Sequence, residues 1–396
     1  MLFSEAVAFR GILAGLWLSA ALALSCQGQE GSAPDKVSNQ SQKDSAYTLK
    51  AQADLSVLGV GSFIWAHTAE VKQLASSHPL GLQVEYHPRR WSTFDDAANY
   101  RRLRMGFTAG VLHFRQGRRL GMALPLAFSL SNCLTAPHRR VSLHYRVLAG
   151  IAYVTSPFSY PENRHNLAIG QPVVAALQIG LLGKARLSSM GNYLRFEAGL
   201  AHFSAGAFLM PNLGLNLPFI ALGYQHPFGN PSPNQAALAR KGAKAAPGLP
   251  RTSIWVLGAG GAKQAGYSYD PLRLGFTGRV DAFRRFGLRS AVSIGTDVIY
   301  NEALRDKRVS RGHAPAPLVR VGLTVGHEWL INSFAISTQL GAYVYNPAKG
   351  IDRPLYQRYG VRWNLSRRLQ PAIFLRAHLG QADIIEASLA YRLFAR

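Results

Sequence analysis

From residue 53 to its end the chain reads as strand after strand, and the length of those strands is the strongest constraint on its fold. Segment 102–117 places Leu103, Met105, Phe107, Ala109 and Val111 on one face. In 119–130, Leu120, Met122, Leu124, Leu126, Phe128 and Leu130 oppose Arg119, Gly121, Ala123, Pro125, Ala127 and Ser129. Segments 141–153 and 173–187 repeat the pattern, with Gln178, Gly180, Lys184 and Arg186 on the polar side of the latter. It continues through 252–266, 273–286, 288–301, 318–330, 334–346, 354–365, 368–379 and 382–394. Side chains alternate across a strand with a period of two, so each segment has one face of large aliphatics and aromatics and one of Arg, Gly, Ser, Thr and Gln. The runs are about 11 to 15 residues long, about twice the usual strand of a soluble sheet.

Long strands with one apolar face suit a closed sheet in lipid. A tilted strand of about 10 residues crosses a bilayer, and closure pairs every backbone group that lipid cannot solvate. The pattern therefore predicts an all-β fold, a transmembrane antiparallel β-barrel of roughly 14 strands, within 12 to 16. A soluble sandwich or lipocalin-like barrel would have shorter strands and a charged outer face. The last strand ends on Leu389, Tyr391, Leu393 and Phe394, as a barrel's terminal strand commonly does.

The start of the chain agrees. Residues 1–25 carry Arg10, an apolar run and a small residue before Cys26, and read as a secretory signal peptide. Residues 26–52 are polar and read as a flexible lead-in, so the barrel is expected over 53–396. The stretch 229–250 is rich in Pro, Ala and Lys and lacks periodicity; it is expected to be a long loop. Cys26 and Cys133 are the two cysteines, and their spacing supports neither a zinc site nor a disulfide framework.

Charge narrows the partners. The 44 Lys and Arg against 20 Asp and Glu leave +24, an excess that suits nucleic acid, a membrane surface or a phosphorylated lipid. In a membrane-embedded barrel the lipid is the expected partner, and nucleic acid is not.

Residues 192–228 hold the candidate chemistry. Leu194, Phe196, Ala198, Leu200, His202 and Ser204 share one face. His202 and Ser204 are neighbours at the end of an apolar stripe, and they are the two groups that a hydroxyl nucleophile and its base require. On the return strand Asn216 shares an apolar face with Ile220, Leu222 and Tyr224 and could lie beside the pair. A third polar group there would hold the imidazole tautomer. A site opening sideways into the bilayer would act on a lipid ester. Glu197 faces away from His202. His144, His165, His313 and His327 are expected in walls or loops. His378 with Asp383 suggests a second cluster, but Asp383 is expected to end a lipid-facing stripe.

The motif H-F-S at 202–204, followed by P-N-L-G-L-N at 211–216, resembles the lipid A 3-O-deacylases and their larger acyloxyacyl hydrolase relatives. The resemblance is closest over 192–228 and weaker at NLAIGQPVVAALQIG, GHEWLINSFAISTQLGAYVY and RAHLGQADIIEASLAYRLF. It implies an outer-membrane barrel that removes an acyl chain from lipid A, the lipid anchor of lipopolysaccharide. Ser204 would be the nucleophile, His202 the base and Asn216 the orienting group. The family usually has Asn after the serine, helping to bind the oxyanion; this chain has Ala205. Backbone N–H groups at Ala205 and Gly206 are the candidate replacements. The resemblance implies no metal or cofactor. The alternative is a non-catalytic barrel, porin-like or binding, that retains the motif. As a seventh strand, 192–204 would run outward and put Ser204 at the outer leaflet. That count puts 227–251 on the periplasmic side, where turns are normally short.

Overall fold

The computed structural model describes residues 53–88, 103–135, 140–188, 191–228, 250–286, 290–331 and 334–396. The expected signal peptide and lead-in lie outside the described residues, as does 229–249 of the expected loop.

The all-β, antiparallel expectation holds, but the single barrel of roughly 14 strands does not. The described residues form two closed barrels of eight strands each. The first contains β1 (Ala53–Ser62), β2 (Leu80–His87), β3 (Leu103–His113), β4 (Met122–Cys133), β5 (Val141–Val154), β6 (Val173–Arg186), β7 (Tyr193–Ser204) and β8 (Leu215–Phe228). It closes where β1 pairs with β8, Val57 opposite Tyr224. The second contains β9 (Thr252–Lys263), β10 (Arg273–Phe286), β11 (Ser290–Asn301), β12 (Val319–Ile331), β13 (Phe334–Tyr345), β14 (Leu355–Trp363), β15 (Leu369–His378) and β16 (Gln381–Ala395). It closes where β16 pairs with β9, Tyr391 opposite Val256. The strand-by-strand reading was sound; β1 and β2 went uncounted, and closure was assigned to one ring instead of two. The segment 229–250 lies between the barrels in sequence, so it is not a turn within either. This removes the topological conflict, because 193–204 is indeed the seventh strand.

Each barrel carries its charges inside and its large apolar side chains outside. In the first, Leu124, Leu126, Leu181, Ile220 and Leu222 are exposed, whereas Glu85, Arg146, Arg195 and Glu197 are buried. An eight-stranded barrel is just wide enough for its side chains to fill. Here they fill it with ion pairs. Arg146 donates from Nε to Glu85 Oε1 at 3.1 Å and from Nη1 to both Glu197 oxygens at 2.9 Å. Arg195 Nη1 lies 2.7 Å from Glu85 Oε2. Glu197 thus faces the lumen, as its parity requires. Towards the Ser204 end the lumen turns apolar, packed by Phe114, Leu120, Val154, Ile169, Phe203 and Leu215.

The second barrel repeats the scheme. Phe276, Ile294, Val325, Ile373 and Leu389 are exposed. Inside, Arg358 Nη2 donates to Asp297 Oδ2 at 2.8 Å and Arg376 Nη1 to Glu386 Oε1 at 3.1 Å. His144 lies in the β5 wall, His327 in the β12 wall, and His165 and His313 in connections, all as expected.

In the first barrel, connections 63–79, 114–121, 155–172 and 205–214 gather at one end. The first includes a short helix, α1 (Ala69–Lys72). Segment 63–79 is tied to the strands beside it. Ser62 N–H donates to Pro79 O at 2.9 Å, and Trp65 N–H to Asn216 O at 2.9 Å. The chain enters β1 and leaves β8 at the opposite end.

Candidate functional site

His202 and Ser204 lie at the loop end of β7, and Asn216 opens β8 directly opposite His202 in the ladder. Strand pairing brings a residue 14 positions away alongside the imidazole: His202 Nδ1 and Asn216 Oδ1 are 2.8 Å apart. The His202 ring packs on Gly214, whose φ is +74°. A Cβ there would lie 3.0 Å from His202 Cε1, so glycine suits both the backbone and the ring. Leu213 N–H donates to Leu167 O at 3.2 Å and Gly214 N–H to Ala168 O at 2.9 Å, so the β7–β8 loop is held by its neighbour.

Ser204 is buried under that loop. Its Oγ donates to Asn212 Oδ1 at 3.1 Å and accepts Gly206 N–H at 3.1 Å. Ala205 N–H donates to Asn212 Oδ1 at 2.6 Å. Among the described residues Ser204 and His202 share a face without a hydrogen bond between them, and His202 Nε2 has no partner. Of the two backbone candidates, Gly206 aims its N–H at the Ser204 hydroxyl, whereas that of Ala205 is taken up by Asn212. Gly206 and Ala207 both have left-handed backbones, φ +62° and +65°. This tight turn brings the Gly206 amide back over the serine.

Two residues were missed by sequence reasoning. Asn212 lay within the quoted P-N-L-G-L-N motif but was given no role. His67 had no local signal at all, being a lone histidine in the β1–β2 connection. Its Nδ1 lies 3.1 Å from Asn216 Nδ2, and its Nε2 lies 2.9 Å from Leu213 O.

The second barrel has a different cluster at its β9–β10 end. Asp352, His378 and Asp383 offer ligand atoms within 4.8 Å of one another. Asp383 is buried, which corrects its expected place on the lipid-facing stripe. It pairs with Lys263 and, at 3.1 Å, with Arg376. Asp352 pairs with Lys307 at 3.1 Å and with Arg320 at 2.9 Å. Lys307 belongs to α2 (Ala303–Val309) in the β11–β12 connection. Four cationic side chains already neutralise these two carboxylates, so the group fits an ion-pair network and not a divalent-cation site. His378 Nε2 is 2.9 Å from Tyr343 Oη.

Apolar exteriors, charged interiors and closed antiparallel sheets define an outer-membrane type of β-barrel protein. Residues 252–396, the second barrel, match the family described as acyloxyacyl hydrolase, C-terminal domain. The His202–Ser204 site lies in the first barrel, outside the matched residues. No curated protein matches the chain. Among solved structures it is similar to the outer-membrane enzyme PagL, at 16% identity and TM-score 0.30, over 44% of this chain and 99% of that one. It is also similar to an outer-membrane channel from Pseudomonas putida F1, at 11% identity and TM-score 0.20, over 92% of this chain and 100% of that one.

Proposed function

We propose that the first barrel is an outer-membrane esterase of the lipid A deacylase type. Its site would open on the lipid-facing wall, with Ser204 as nucleophile, His202 as general base and Asn216 as the group that orients the imidazole. The observation that carries this reading is the 2.8 Å contact between His202 Nδ1 and Asn216 Oδ1, on the outer face beside the serine.

The chemistry follows from the atoms. Asn216 Oδ1 accepts a proton only if His202 bears it on Nδ1, which leaves the Nε2 lone pair to take the Ser204 proton. The hydroxyl turns from Asn212 to His202, and Oγ attacks the ester carbonyl. The departing alkoxide takes the proton from Nε2, and water then releases the acyl chain from Ser204. Gly206 N–H, already 3.1 Å from Oγ, is the donor next to the developing oxyanion. The connections at the Ser204 end (63–79, 114–121, 155–172 and 205–214) are longer on average than those at the other end (88–102, 134–140 and 187–192), which fits an outward-facing site, since outer-membrane barrels carry their longer loops on that side. The outer leaflet holds lipid A.

The channel alternative is disfavoured by the packed lumen. Glu85, Arg146, Arg195 and Glu197 fill the first barrel at mid-height, where a pore would be open. Purified protein incubated with lipid A should release a hydroxy fatty acid, and Ser204→Ala should not. Stepwise conductance in planar bilayers, with no acyl release by either protein, would replace the esterase reading with the channel.

A further inference from the structure

We infer that His67 is a positioning residue of the proposed esterase site. It fixes the Asn216 side-chain amide in the one orientation that keeps His202 competent as a base. The inference rests on the deacylase reading for its catalytic consequence and on geometry alone for its structural one.

An asparagine is an ambiguous orienter. A carboxylate can only accept, so it holds the Nδ1–H tautomer of a histidine whichever oxygen it presents. An amide can present either Oδ1 or Nδ2. Presenting Nδ2, it would favour the other tautomer, with the proton on Nε2 and no lone pair for the serine. Something must therefore set the amide.

The direction can be traced from an atom with no freedom. Leu213 O is a backbone carbonyl and can only accept. His67 Nε2, 2.9 Å from it, therefore carries the proton. In the neutral ring Nδ1 is then the acceptor, so the group 3.1 Å away must donate, and that group is Asn216 Nδ2. With Nδ2 committed to His67, Asn216 Oδ1 faces His202 Nδ1 at 2.8 Å and accepts its proton. The relay runs from Leu213 O through His67 and Asn216 to His202, and every donor meets an acceptor. Reversing the amide would set Oδ1 against the His67 lone pair, opposing that bond, and would turn Nδ2 towards His202 Nδ1, favouring the tautomer that cannot serve the serine. The carbonyl at the start of the relay belongs to the loop that carries Gly214, on which the His202 ring packs. Trp65 N–H, donating to Asn216 O at 2.9 Å, fixes the backbone that brings His67 into place.

The test uses the full chain in detergent micelles, with heat-modified gel mobility to confirm folding. Three variants separate the roles. His67→Leu removes both bonds. His67→Gln restores a donor and an acceptor on one planar group. Asn216→Asp removes the ambiguity itself. On lipid A, His67→Leu should lower kcat by about tenfold to a hundredfold with KM little changed. His67→Gln should recover most of that loss. In the Asn216→Asp background the His67→Leu penalty should shrink to less than about twofold, because a carboxylate needs no setting. A penalty of equal size in both backgrounds would overturn the inference.

A second readout needs no turnover. In protein labelled with nitrogen-15 histidine, the His202 ring should show the Nδ1–H tautomer, and His67→Leu should shift it towards Nε2–H. If the chain proves not to be a deacylase, this shift still tests the relay. If deacylation depends on Ser204 but neither kcat nor the tautomer responds to His67→Leu, the deacylase reading stands and the relay fails.

Discussion

His202 and Asn216 face each other across the β7–β8 ladder with Nδ1 and Oδ1 2.8 Å apart, on the outer wall of a barrel whose interior is ion-paired. Strand register supplies the contact. Residues directly opposite in an antiparallel pair bring their side chains to the same face, so the barrel wall itself orients the imidazole.

The first prediction concerns that pair. Asn216→Leu should lower kcat on lipid A by about tenfold to a hundredfold, since nothing then selects the His202 tautomer. Asn216→Asp should keep kcat within about tenfold of the parent or raise it, because a carboxylate accepts the same proton and stabilises the imidazolium. Equal activity in the two variants would show that the contact is not used.

Gly214 should not tolerate a side chain. Gly214→Ala places a Cβ 3.0 Å from His202 Cε1 on a backbone with φ +74°. The left-handed backbone alone costs about 1 kcal/mol, and relief of the contact must move either the loop or the ring. Loss of activity larger than the fall in thermal midpoint is expected. A variant with parental activity would mean that the ring position is not critical.

The lumen should be intolerant in another way. Glu197→Ala leaves Arg146 without its Nη1 partner in a buried site, and breaking such a pair typically costs about 3 to 5 kcal/mol. Urea unfolding in micelles should show a loss of that order. A change under about 1 kcal/mol would mean that water reaches Arg146 and that the lumen is open.

Acid should loosen the loop end of the second barrel. Burial pushes the Asp352 carboxyl up, but Lys307 and Arg320 outweigh it and hold its pKa at about 2. A carboxyl depressed on folding contributes stability that is fully present above its unfolded pKa and is lost as pH falls through the folded value. The contribution should therefore persist down to about pH 4 and disappear towards pH 2. Hydrogen exchange in 346–354 should accelerate across that window, and Asp352→Asn should abolish the pH response. Unchanged exchange in the parent between those pH values would contradict the pairing.

Much of this was legible in the sequence, for reasons that particular residues make plain. β10 was expected at 273–286 and runs Arg273–Phe286, because alternation over 14 residues leaves little freedom in its bounds. The His202–Asn216 contact was foreseeable because both residues sit in one hairpin, where register is local. What escaped was non-local. Period-two alternation is the same in one ring as in two, and nothing in β1 or β16 states which strand it will close on. The inward charges were the missed clue. Arg146, Glu85 and Glu197 come from three strands and meet in the lumen, which only a narrow barrel allows. His67 escaped for a similar reason, since barrel closure between β1 and β8 is what carries it to Asn216.

The most direct test of the central claim is mass spectrometry of lipid A from cells expressing the parent chain or Ser204→Ala at matched outer-membrane levels. The account predicts that the parent removes one hydroxyacyl chain and that Ser204→Ala leaves lipid A intact. Unchanged lipid A in both, or the same loss in both, with the barrels properly inserted, would contradict a Ser204-dependent deacylase.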